Sequence, residues 1–494
     1  MASNKKYASR LNSISPNFLS NRNILLASIA FTLFTFYCIL SNHELYLLAA
    51  PIVLFGIISM IKPDFIWFSI PFFTPLSINP NDVDLGKLSI SLPTEPLLVL
   101  LVILFVYFIF FKKELPSEFF LHPISILIYF YFGWMLITCF TSVDKVVSLK
   151  FFISKLWFVI PCYFLAYFYF QERNKISLFL SLFLWTLVLV SLFNLVHLSI
   201  FNFEDKPSQW TMQPFFKNHA VLGAILAMCL PISMGLYHYN EKNIVKQLAY
   251  FFAFIILTLC LIFTYSRAAW ISIIPSLLLF IIFKLRIPFR VLISTTVVIL
   301  LALILNINLI LENLEENTVA SSDDLIENVE SISNISTDAS NLERINRWAC
   351  AIEMWKAKPL FGFGPGTYMF QYAPFQLSSN YTEISTNSGD VGNSHSEYLG
   401  PLAEQGLFGG LLFLGILLFV IFYSFKTYYK AIDRKDKIII STSACSLISY
   451  LTHGFLNNFL EMDKAAVLFW ALICVLTVYD IKQRKVNSQK VIAA

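Results

Sequence analysis

Apolar residues in this chain come in long unbroken runs, with little of the stripe or alternation that marks a soluble helix or strand. Runs long enough, or nearly long enough, to cross a bilayer fall at about 24–40, 45–61, 65–79, 96–111, 124–140, 151–170, 176–200, 220–238, 247–264, 268–283, 291–311, 406–425, 438–456 and 465–480. A helix needs roughly 20 apolar residues to span the hydrocarbon core, and helices satisfy their own backbone polar groups there. The pattern therefore predicts an all-α polytopic membrane protein with 12–14 transmembrane helices. The run at 65–79 is short and holds Pro71 and Pro75, so it is expected to be broken or re-entrant. Polar stretches divide the chain into a membrane bundle (1–311), one large loop (312–405) and C-terminal helices with a tail (406–494).

Composition agrees, with 57% hydrophobic and only 13% charged residues, where a soluble chain carries about 25%. The basic residues sit in short loops and form no single patch, which excludes a nucleic-acid footprint. Their distribution orients the chain. With the N-terminus inside and every run crossing, 23 of the 35 Lys and Arg fall on the inner side and 11 on the outer, Lys155 lying within a span. Both termini are then cytoplasmic and the large loop lies outside. All cysteines but Cys350 lie in apolar stretches without a CxxC pair, and read as small buried residues. No small-residue cleavage site follows the 24–40 run, so it is expected to be a retained helix.

Two outer segments carry polar chemistry, 201–219 and 312–405. The latter opens with eight acidic residues and no Lys or Arg before Asn341, the composition of a poorly ordered cap. From 341 to 358 (NLERINRWACAIEMWKAK) an apolar stripe at Leu342, Ile345, Ala349, Ile352 and Trp355 predicts a helix, with Arg344 and Arg347 on one flank. The glycines of GFGPG (Gly362, Gly364, Gly366) end it in a tight turn. A second helix is expected from near Ser394 through Glu404 into the next span, the loop helices lying over the outer leaflet.

Cations on that face need an explanation. Arg267, in YSRAAW at a membrane boundary, runs against the positive-inside bias; snorkelling to lipid is the plain account, and a planar fork gripping a diphosphate is the functional one. Arg344 and Arg347 offer a second fork. His395, in GNSHSEYLGPLAEQGLFGG, titrates near neutrality and can take a proton from an attacking hydroxyl. Asn393, Glu397, Glu404, Lys217 and His219 are supporting candidates, the two glutamates as groups that orient the imidazole. His453 and the remaining histidines show no constellation. Walker, GxGxxG, GxSxG and HExxH motifs are absent, and no outer carboxylate pair suits a metal-bound nucleotide sugar.

Four segments in order, FFKNHAVLGAILAMCLPI, TYSRAAW, RINRWACAIEMWKAKPLFGFGPGTY and NSHSEYLGPLAEQGLFGG, resemble the O-antigen ligase family, whose superfamily includes polysaccharide polymerases and protein O-oligosaccharyltransferases. The resemblance covers roughly 210–425. It implies a GT-C-like, multi-pass enzyme of the bacterial inner membrane with its large loop in the periplasm. It further implies an undecaprenyl-diphosphate-linked glycan donor, a lipid A–core or other glycan acceptor, and inverting transfer without a metal or cofactor. The expected molecule is a monomer among membrane lipids. The family's essential histidine falls on His395, its junction arginine on Arg267, and its loop arginine on Arg344 or Arg347. Many members carry Asn after the histidine; here Ser396 follows. Ligation to lipid A–core is the favoured activity, with polymerase or protein glycosylase next. A transporter of lipid-linked sugar is the alternative of another class; it predicts inverted repeats, which the sequence lacks.

Overall fold

A computed structural model describes residues 63–80, 90–111, 116–306, 339–376 and 392–493. Among these residues the elements are helices and turns, with one isolated antiparallel bridge between Ile78 and Leu92. The chain divides into two compact units, Met1–Ser69 and Ile70–Ala494; of the first, residues 63–69 are described. The expected runs at 24–40 and 45–61 and the acidic cap up to 338 lie outside the described residues.

Helix α1 (Pro63–Phe73) gives way to a 3-10 turn at Thr74–Leu76, so the run holding Pro71 and Pro75 is indeed broken. Helix α2 (Thr94–Phe111) is apolar after its first two residues, Thr94 and Glu95. Then come α3 (Pro123–Thr141), α4 (Lys145–Tyr169), α5 (Arg173–Ser199), α6 (His219–Tyr239), α7 (Ile244–Ile262) and α8 (Arg267–Leu285). After α9 (Phe289–Leu305) and the loop helix α10 (Ala339–Ala357), the chain re-enters the bundle as α11 (Leu399–Lys430), α12 (Arg434–His453) and α13 (Asp463–Ala493). Eight of the described helices are long and apolar enough to cross a membrane, and the protein is an all-α multi-pass membrane protein.

Two helices organise the interior. The spanning stretch of α13 is buried along its whole length, as a helix that is apolar all round must be. Helix α12 is rich in Ser and Thr and packs between α6 and α8. The Ser446 hydroxyl donates to the Met228 carbonyl of α6 at 2.7 Å, and Ser276 of α8 donates to the Cys445 carbonyl at 2.9 Å. Small hydroxyl side chains let helices approach closely where no water competes. The described cysteines are all buried and free.

Ion pairs tie one end of the bundle. Arg173 at the start of α5 bonds Asp433 and Asp436, and Arg434 pairs with Glu241 beyond the end of α6. Asp480 of α13, almost fully buried, is matched by His122, Lys426 and Arg484, the compensation that a buried carboxylate requires. The candidate site lies at the other end.

Candidate functional site

Helices α6 and α8 both begin at that end, and Gly223 brings their first turns together. A Cβ at Gly223 would stand 2.9 Å from the Ala269 Cβ and 3.0 Å from the Ser266 Cβ, too close for any side chain. Asn218 caps α6 by accepting the Val221 N–H at 3.0 Å, which leaves His219 as the first helical residue. Arg267 is the first residue of α8. A cation at a helix N-terminus opposes the macrodipole, so its placement there carries a cost. Charges from Arg267 and Arg344 both act on His219, whose Nδ1 is buried without a hydrogen-bond partner.

Arg344 and Arg347 share α10 but have different surroundings. Arg347 is buried at 3% exposure; its Nε donates to Glu343 at 2.6 Å, one turn earlier, and its guanidinium lies 3.8 Å from the centre of the Tyr372 ring. The Tyr368 hydroxyl donates to the Arg347 carbonyl at 2.7 Å. Arg344 is half-buried, and its charge reaches His219, His395 and His453. The apolar stripe expected on this helix is not its packed face. Ile352 of that stripe is 38% exposed, and Cys350, Ala351 and Met354 make the core contact with Phe363, Tyr368, Tyr372 and Ala403. Short side chains win here because the helix lies directly on the turn that follows it.

The GFGPG turn is pinned to α11 by its backbone. Phe363 and Gly364 donate to the carbonyls of Ala403 and Glu404 at 3.1 and 2.8 Å, and Leu407 donates to Pro359 at 2.8 Å. Gly362 has φ +67°, and a side chain on it would collide with the Glu404 backbone. The Glu404 carboxylate accepts the Tyr368 N–H at 3.0 Å and bonds the Gly366 N–H as well. It holds the turn and makes no contact with the imidazole. Helix α11 is kinked where Gly406 adopts φ +71°.

The helix expected from Ser394 does not begin there. His395 has φ +48°, left-handed and costly by roughly 1–3 kcal/mol for a residue with a side chain, and α11 begins only at Leu399. Competing bonds hold the segment in this shape. The Asn393 side chain accepts the His395 N–H at 3.1 Å, and Trp348 of α10 donates to the His395 carbonyl at 3.2 Å. Ser396 accepts the N–H groups of Tyr398 and Leu399 at 3.3 Å each, a side-chain turn leading into the helix that Asn also forms. Glu397 is buried: its N–H donates to the Gly454 carbonyl, and its carboxylate accepts from the Tyr450 hydroxyl and the Leu460 N–H. Burial pushes its proton affinity up.

The His395 imidazole lies near Asn457. Burial first, then the Arg344 charge, lower its pKa from 6.5 to about 4, so the ring is neutral at ordinary pH. Two residues of this group escaped the sequence reading. His453 ends α12, is buried and has neither ring nitrogen paired; Asn457 follows in the turn to α13. Their signal was slight: THGFLNN places four polar side chains at the end of a span, on the same membrane face as His395. Lys217 lines a separate cavity of about 170 Å³ with Asp463 and Lys464. Among the described residues no group of three or more His, Cys, Asp or Glu side chains is placed to hold a metal ion.

The arrangement is a cationic cluster at one end of the bundle, beside three imidazoles of which His453 is buried and His219 and His395 half-buried. It can attract an anion and, beside it, accept a proton. No curated protein matches the chain. Residues 252–414, from α7 through Arg267, α10 and His395 into α11, match the family model described as O-antigen ligase.

Proposed function

We propose that the protein is a membrane glycosyltransferase that moves a glycan from an undecaprenyl-diphosphate-linked donor to an acceptor hydroxyl on the periplasmic side of the bacterial inner membrane. The observation that carries this reading is the shared reach of Arg344, whose charge acts on His395, His219 and His453, with Arg267 acting on the same His219. Arg344 and Arg267 hold the diphosphate. As the anomeric C–O bond breaks, its electron pair leaves on the lipid diphosphate, and fixed guanidiniums stabilise that growing charge. His395 takes the proton of the acceptor hydroxyl as its oxygen bonds to the anomeric carbon. Asn457, near the ring, helps to orient it, and a neutral imidazole keeps one ring nitrogen free as the base. A single displacement of this kind inverts the anomeric centre, and the guanidiniums take the role a divalent ion would otherwise have.

Ligation to lipid A–core is the favoured acceptor chemistry, on the match to residues 252–414. The test uses purified protein with a lipid-diphosphate-linked donor, adding lipid A–core, a second lipid-linked repeat or a protein acceptor one at a time and following product mobility. Product with lipid A–core alone is expected. Product with another acceptor alone reassigns the protein to polymerase or protein glycosylase. Flipping of labelled donor lipid in liposomes, with no product from any acceptor, overturns the transferase reading in favour of transport.

A further inference from the structure

A second cavity, of about 200 Å³, lies beside the histidine loop. Asn393, Ser394, Ser396 and Glu397 line it, and its wall residues Gly392 and Tyr368 adjoin the buried Arg347. Much of its wall is aromatic, including Tyr131, Phe151, Tyr368 and Trp470. Its polar lining is mainly hydrogen-bond acceptors. Glu397 and Glu404 already have donors, and Lys155 of the wall donates to the Leu460 carbonyl at 3.0 Å. Two acceptors do not have one. Gln405 Oε1 and Asn458 Oδ1 are buried without any partner, on residues only 1% and 8% exposed, and the exposed Glu461 carboxylate stands at the rim.

A buried acceptor left unpaired costs about 1–3 kcal/mol, so two beside one cavity point to a ligand that donates hydrogen bonds. The exposed Glu461 carboxylate at the rim disfavours a phosphate. A sugar meets both requirements: its hydroxyls donate, and its C–H faces lie against aromatic rings. In-line displacement brings the nucleophile in opposite the leaving group, so the acceptor needs a surface of its own beside the histidine loop, and this cavity supplies one. We propose that this cavity is a subsite for a neutral or amine-bearing sugar of the acceptor glycan, adjoining the unit whose hydroxyl attacks. The inference rests on the proposed transferase reading.

The experiment titrates purified full-length protein in detergent with methyl glycosides of a hexose, an N-acetylhexosamine and a 2-amino-hexose, read by saturation-transfer NMR, and separately with inorganic pyrophosphate. At least one glycoside is expected to bind. Asn458→Leu should weaken that binding roughly tenfold, the loss of about one hydrogen bond. Glu461→Gln, at an exposed position that tolerates change, should weaken the amine-bearing glycoside most. Both variants should bind pyrophosphate as the unaltered protein does, whereas Arg344→Gln should lose pyrophosphate and keep the glycoside. No glycoside binding, or equal binding in both cavity variants, overturns the subsite while leaving the transferase reading to its own assay. Glycoside binding abolished by Arg344→Gln alone moves the sugar to the cationic cluster and also overturns it.

Discussion

The Tyr450 hydroxyl donates to the Glu397 carboxylate at 2.5 Å, and this buried bond joins the histidine loop to the end of α12. The same carboxylate accepts the Leu460 N–H at 2.8 Å, so one side chain fastens both the loop and the α12–α13 turn that carries Asn457. Tyr450→Phe removes one of the two donors and leaves a buried carboxylate short of a partner, at a cost of about 1–3 kcal/mol. The thermal midpoint in detergent should fall and transfer should fall with it. His395→Asn, which keeps a residue tolerant of positive φ, should abolish transfer and leave the midpoint in place. A Tyr450→Phe protein as stable as the unaltered one would show that the loop is fastened elsewhere.

The histidine itself makes a prediction about pH. Burial and Arg344 lower its pKa from 6.5 to about 4, so the neutral base survives into acid. The acid limb of kcat/KM should therefore have its midpoint near 4 rather than 6.5. Arg344→Gln removes a positive charge and should move that limb upward. Stability follows the same linkage: between 6.5 and about 4 the unfolded chain binds a proton here that the folded chain refuses, so this contribution to stability is lost as pH falls through that window. Urea midpoints across that range should decline less steeply for His395→Asn.

Much of this was open to a reader of the sequence, for identifiable reasons. Lipid offers backbone groups no partners, so long apolar runs could only be helices, and α3 to α8 lie where the runs predict. Arg267 stood out because a charge at a membrane boundary is costly, and His395 because it sits among polar neighbours before a span. What stayed hidden depends on tertiary contacts. Arg344 and Arg347 share a flank on a helical wheel, and only Tyr372, arriving from beyond the turn, separates the buried one from the other. His453 joins the group because α12 ends beside the loop, a meeting with no local signature. The left-handed shape at His395 comes from Asn393, Trp348 and Glu397 acting together, against a sequence that reads as the start of a helix.

Gly223 tests whether the two helix starts must touch. Gly223→Val would drive a branched side chain into Ala269 and Ser266, overpacking that costs about 1–3 kcal/mol and spreads α6 from α8. His219 and Arg267 then separate. The variant should still fold, lose affinity for pyrophosphate, and retain glycoside binding at the cavity beside the histidine loop. Unchanged pyrophosphate affinity would show that the cationic cluster does not depend on this contact.

The two loop arginines should fail in different ways when exchanged for glutamine. Arg347→Gln strips a buried ion pair of its cation and leaves Glu343, 6% exposed, without that partner. Breaking a buried pair from one side costs about 3–5 kcal/mol, so the thermal midpoint should drop sharply and any lost activity should follow from the lost fold. Arg344 is half-buried where Arg347 is buried, and its charge acts on three imidazoles. Arg344→Gln should leave the midpoint nearly unchanged and lower kcat/KM by a factor of about 100 or more, the scale of one lost electrostatic contact to a developing anion. Lysine separates the cases further. At 344 it restores charge without the fork and should recover part of the rate, whereas at 347 it loses the stacking on Tyr372 and should remain unstable. If Arg347→Gln proves stable but inactive and Arg344→Gln behaves as the unaltered enzyme, the phosphate-binding role passes from Arg344 to Arg347.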